Sequence, residues 1–106
     1  CTVCTKIGAV GCIVKPDAFR VLAGDGGLGV YEWGAKISRR FFCTSCGVHV
    51  FARGHLEELG GDYVSVYMNC LDDLDVSTLT VLHWDGRHDN WEAGARATPW
   101  PIQATA

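Results

Sequence analysis

Four of the six cysteines stand in two Cys-x-x-Cys pairs, Cys1-Thr2-Val3-Cys4 and Cys43-Thr44-Ser45-Cys46, and no other feature of the chain constrains its fold as strongly. Two intervening residues let both sulfurs of a pair point at one ion from a single tight turn, while backbone N–H groups of that turn solvate the thiolate charge. The second pair is the sharper of the two. Gly47 follows it directly and can take the positive φ of a zinc knuckle, and Phe41-Phe42 before it reads as an incoming strand. Zn2+ is therefore the expected cofactor, with Cys1, Cys4, Cys43 and Cys46 as its ligands. The pairs could close one tetrahedral site across a connection of 38 residues, or each could serve its own ion with further ligands.

Composition bounds the alternatives. A chain of 106 residues that is 48% hydrophobic suits a single domain over residues 1–106, small enough for metal cross-links to add stability. A formal net charge of −3 disfavours a nucleic-acid partner, because phosphate binding draws on basic surface. No apolar run reaches the roughly 20 residues of a membrane-spanning helix. An even cysteine count would also permit disulfides, but close pairs with a knuckle glycine suit metal better, and a cytoplasmic location follows from that choice. The thioredoxin-like redox reading needs a βαβ unit, which the pattern does not contain.

Strand signals recur along the chain, over residues 10–14, 19–22, 28–33, 35–42, 48–52, 63–69 and 79–84, and no helix is expected. The fold class is all-β. Alternation is cleanest over 63–69, with Val64, Val66 and Met68 on one face and Tyr63, Ser65 and Tyr67 on the other. The second cysteine pair sits between two strand signals, at the tip of a hairpin. Beyond Asp85-Gly86 the tail reads as an extended segment pinned by Trp84, Trp91 and Trp100. Cys12, within an apolar stretch, reads as a buried small hydrophobe. Asp72, Asp73 and Asp75 lack the glycine and distant glutamate of a calcium loop and read as a turn.

Cys1-Thr2-Val3-Cys4-Thr5-Lys6, Arg40-Phe41-Phe42-Cys43-Thr44-Ser45-Cys46-Gly47, Cys70-Leu71-Asp72-Asp73 and His83-Trp84 through Trp91, in that order, resemble the family of glutathione-dependent formaldehyde-activating enzymes and centromere protein V. The resemblance implies twisted antiparallel sheets of the β-tent type. It also implies a structural zinc, shared by Cys43 and Cys46 with an early Cys-x-Cys, and a reactive zinc held by a Cys-x-Cys-x-x-Cys segment that Cys1 and Cys4 would end. The chain opens on Cys1 and reads as lacking the N-terminal part of such a domain, including the early Cys-x-Cys and the first reactive ligand.

The expected activity is that of a carbon–sulfur lyase acting on a thiol–aldehyde adduct such as S-hydroxymethylglutathione. Its partners would be a glutathione-like thiol and an aldehyde. An open zinc among thiolates is thiophilic, so it can bind a thiol and hold it ready to attack a carbonyl, or run the reverse cleavage. A non-catalytic thiol carrier and a structural zinc domain for protein binding are the alternatives. Glutathione carries two carboxylates, and Arg39 and Arg40 beside the second pair are the candidate contacts, with Lys6 by the first.

Overall fold

The structure, a computed structural model, describes residues 2–32 and 38–102. Five antiparallel strands form one sheet: β1 Gly11–Val14, β2 Leu28–Tyr31, β3 Arg39–Cys43, β4 His49–Leu56 and β5 Gly61–Tyr67. Their spatial order is β1-β5-β4-β3-β2, so the long β4–β5 hairpin lies at the centre and β1 and β2 form the edges. The one α-helix among the described residues, α1, is short and covers Thr2–Ile7. All other helical segments are single 3-10 turns. The molecule is all-β.

Cross-strand register sorts the side chains into two faces. Phe51 pairs with Val66 and Arg53 with Val64, while Phe41 pairs with Phe51. This face gathers an aromatic cluster, with the Phe51 ring 4.5 Å from Phe41 and 4.7 Å from Phe19. The Arg53 guanidinium covers it, 5.4 Å from the Phe19 ring and 5.7 Å from Phe51. Residues 19–22 thus hold Phe19 against the sheet as irregular chain rather than as the expected strand. The opposite face carries Arg40, Ala52, Ser65 and Tyr67, following the pairings Arg40↔Ala52↔Ser65. On this face Gly54 lies under the Tyr63 ring, where a Cβ would come within 2.6 Å of the phenolic oxygen.

The register between β3 and β4 shifts by one residue between Phe41 and Phe42, so that Phe42 pairs with His49 and Val50 becomes the extra residue of a bulge. The bulge breaks simple alternation and turns the His49 ring toward Tyr67, with ring centroids 6.4 Å apart. Buried apolar residues among those described are Phe51, Ala52, Val64 and Tyr67. Val64 is fully enclosed, with no exposed surface. Truncation by Val64→Ala is expected to cost about 2 kcal/mol, which lowers the melting midpoint by roughly 10 °C in a domain of this size. Thermal unfolding followed by circular dichroism checks this.

Several sequence expectations shift. Cys1 and Cys4 were expected to share a turn, yet Cys4 lies within α1, which ends at Gly8 with φ +66°; Cys1 lies outside the described residues. Part of the strand expected over 35–42 and the end of that over 28–33 also fall outside them. Cys12 is exposed, on β1 at the edge of the sheet, rather than buried as expected. Residues 79–84 make one bridge, His83↔Arg96, in place of a strand.

The C-terminal segment holds itself together largely through polar contacts. Trp100 Nε1 donates to the His83 carbonyl at 2.8 Å, and the buried Asp85 carboxylate meets His88 Nδ1 at 2.8 Å. Burial alone would push the Asp85 carboxyl up, but the hydrogen bond and charge of His88, with help from Asn90, hold it below the usual carboxylate range. A carboxyl lowered in the folded state stabilises the fold above its unfolded value, near pH 4, and loses that contribution as the pH falls through the folded value. Tryptophan fluorescence followed against pH should therefore show the segment loosening below about pH 4, and Asp85→Asn should flatten that acid limb.

Candidate thiol and metal site

The residues that follow the two cysteine segments, 7–9 and 47–49, border one cleft. β3 ends at Cys43, and the turn Cys43-Thr44-Ser45-Cys46 closes as Gly47 N donates to the Cys43 carbonyl at 2.7 Å. Gly47 then takes φ +78°, the left-handed conformation that a side chain would resist. Cys43 N donates to Val48 O at 2.9 Å, which joins the two sides of the turn, and Thr44 is anchored to Gly27 O through both its N–H and its hydroxyl, each at 2.9 Å.

This wrapping aims donors at sulfur. The Cys43 thiol is pulled below its ordinary value by the backbone N–H of Cys46, then by that of Ser45 and by the Cys46 side chain. The positive φ of Gly47 is the one its position after the pair led one to expect.

Across the sheet face, α1 presents Cys4 to β3. The Arg40 Nη2 atom lies 3.8 Å from Cys4 Sγ, and Arg40 is 7% exposed, a buried guanidinium beside a sulfur. Tyr67 of β5 is the third member. Its phenol is pushed up to about 12, chiefly by burial and further by negative charge at Cys4, against the opposing effect of Arg40. The hydroxyl therefore stays protonated across the physiological range and acts as a donor.

A cleft of about 280 Å³ separates the two cysteine segments, lined on one side by Ile7, Gly8 and Ala9, just past Cys4, and on the other by Gly47, Val48 and His49, just past Cys46. Tyr67, Asn69 and Cys70 complete it. The size sits at the small end of ligand pockets. Cys70 Sγ donates to the His49 carbonyl at 3.2 Å, and its thiol is pushed up by burial and by negative charge at Asp72 and Cys46. The buried Nδ1 of His49 has no hydrogen-bond partner among the described residues.

The two arginine candidates part company. Arg40 enters the site, whereas Arg39, one residue earlier and on the other face of β3, is exposed and pairs with Glu32 at 2.8 Å. Lys6 is exposed on α1. Tyr67 and Cys70 were not picked out as site residues from sequence; Tyr67 was visible only as one position of an alternating strand, and nothing in its spacing distinguished it from core. Among the described residues Cys12, Cys43, Cys46 and Cys70 are free thiols, and no group of three or more metal-binding side chains gathers among them. Cys1 lies outside that set.

No helix among the described residues is long and apolar enough to cross a membrane. No family model matches the sequence, and no curated protein matches it. The fold is similar to that of a Rhodobacter sphaeroides protein known from its crystal structure, with a TM-score of 0.63 and 22% identity over 74% of this chain and 69% of that one. A likeness at this identity is one of fold alone.

Proposed function

We propose that the chain is a zinc-dependent, thiol-handling protein of the carbon–sulfur lyase type, acting on a thiol–aldehyde adduct such as S-hydroxymethylglutathione, as the family its motifs resemble would. The observation that carries this reading is the placement of Cys4 beside the buried Arg40 and Tyr67, of which Tyr67 lines a cleft bordered by the residues that follow both cysteine segments. Cys43 and Cys46 would hold a structural ion, for which the inward backbone N–H groups of their turn are suited. Cys4 with Cys1 would hold the reactive one. Zinc there would supply Lewis acidity toward the substrate sulfur.

The remaining work falls to the chain's own side chains. Cleaving the adduct passes the proton of its hydroxyl to solvent, converts the C–O bond to a carbonyl and sends the C–S electron pair to sulfur, which takes up a proton from solvent as the thiol leaves. Negative charge passes from oxygen to sulfur along this path. Arg40 favours it at the sulfur end, where a buried cation acts with little screening. Tyr67, held protonated, donates to the adduct oxygen. Ile7, Ala9 and Val48 line the cleft with apolar surface.

A thiol carrier is the second reading, and one observation favours it: Tyr67 is held protonated, so the cleft offers a donor to a retained ligand. The test is to incubate the zinc-loaded protein with glutathione and formaldehyde and follow adduct formation against the spontaneous rate. Acceleration supports the lyase. Glutathione retained without acceleration supports the carrier, and neither effect rules out both.

A further inference from the structure

The C-terminal segment contains a second, larger depression, of about 900 Å³, whose lining includes Trp91, Trp100, Glu58, Asp89, Glu92 and Arg96. Two features distinguish it from an ordinary solvated acidic surface. The first is aromatic. Trp91 is fixed by its Nε1–H, which donates to Asp89 Oδ1 at 2.6 Å, and it leans on Trp84 with ring centroids 5.9 Å apart. Trp100 is fixed by its bond to the His83 carbonyl. Indoles held in this way present rigid π faces, the best surfaces among side chains for an organic cation.

The second feature is charge. Among the described residues, Glu58, Asp89 and Glu92 form no ion pair; the pairs present are Glu32–Arg39, Asp62–His55 and Asp85–His88. Arg96, the one arginine in the lining among the described residues, is already committed. Its guanidinium lies 3.7 Å from the Trp100 ring centroid and donates to Thr98 O at 3.1 Å and Pro99 O at 2.7 Å. His88 is likewise held between Asp85 and the Ile102 carbonyl. Among the described residues these three carboxylates thus border an aromatic depression outside any ion pair, Asp89 with one oxygen bonded to Trp91 Nε1, and the chain's own Arg96 shows the mode of contact these indoles accept.

We propose that this depression is a docking site for an arginine side chain presented by an extended segment of a partner protein. The guanidinium would lie against Trp91 with Glu92, Asp89 and Glu58 around it, and the remaining volume would take the flanking backbone. Arginine fits better than lysine because a planar, weakly hydrated guanidinium stacks on an indole and bonds carboxylates in its own plane at once. The site is independent of the cysteine segments and of any metal.

The test is a titration of the whole protein with a blocked Gly-Arg-Gly peptide, read by tryptophan emission, beside the same peptide carrying citrulline, the neutral isostere of arginine. Saturable binding of the arginine peptide is expected, with citrulline roughly tenfold weaker. The double substitution Glu58→Gln and Glu92→Gln changes exposed residues and should leave the melting curve in place while weakening the arginine peptide by about fivefold. Equal affinity for the two peptides, an unaffected double variant, or no saturation by roughly 10 mM peptide would overturn the proposal.

Discussion

Replacing Cys43 by serine should release a structural zinc and leave a protein that unfolds or aggregates, with a loss of several kcal/mol in stability, because ion binding and folding of such a turn are one equilibrium. The turn ties together more than its own residues. Cys43 ends β3, its N–H bonds Val48 before β4, and Thr44 holds Gly27 before β2, so loosening the knuckle frees one end of three strands. Cys46→Ser should match it. Cys4→Ser should differ in kind: α1 lies against the sheet rather than within it, and its loss should remove thiol handling with a smaller effect on the melting midpoint. Zinc content and thermal unfolding, measured together on the three variants, separate the two roles. Equal and negligible effects at Cys43 and Cys4 would contradict the division.

Arg40→Met is expected to reduce acceleration of the glutathione–formaldehyde reaction to about one hundredth, the scale of a charge-assisted contact worth roughly 3 kcal/mol in a water-poor site. Methionine fills much of the same volume without charge, so the packing of the stem is largely kept while the contact with Cys4 Sγ is lost. A large kinetic loss with a small change in melting midpoint is the signature of a group that acts on the reacting atoms. Arg40→Lys should recover part of the rate, since it restores charge without the planar fork. Arg39→Met, on the opposite face and paired with Glu32, should leave the rate within about twofold of the unaltered protein. If the two methionine variants lose activity equally, Arg40 holds no special place.

What could be read from the sequence followed its periodicities. The alternation of Val64 and Val66 against Tyr63, Ser65 and Tyr67 placed β5 to within about two residues, and Gly47 marked the left-handed residue of the knuckle. Both signals are local, since strand faces follow from a period of two and a positive φ follows from the absence of a Cβ. Longer-range features were hidden. Whether Arg39 or Arg40 enters the site depends on which face of β3 meets α1, and adjacent arginines give opposite answers with identical local chemistry. Tyr67 acquires its character from burial against Cys4 and Arg40, partners 63 and 27 positions away in the chain. Phe19 met the aromatic cluster from irregular chain, where an apolar run had suggested a strand. The polar clasps of the C-terminal segment, Asp85 with His88 and Trp100 with the His83 carbonyl, leave no periodic trace at all.

The most direct test of the central claim, that these cysteine segments gather zinc, is elemental analysis of protein purified under reducing conditions, paired with titration of its reactive thiols before and after chelation. The account predicts at least one zinc per chain, carried by Cys43 and Cys46, with those thiols masked until the chelator removes the ion. A folded protein with no bound zinc and every cysteine freely reactive from the outset would contradict it.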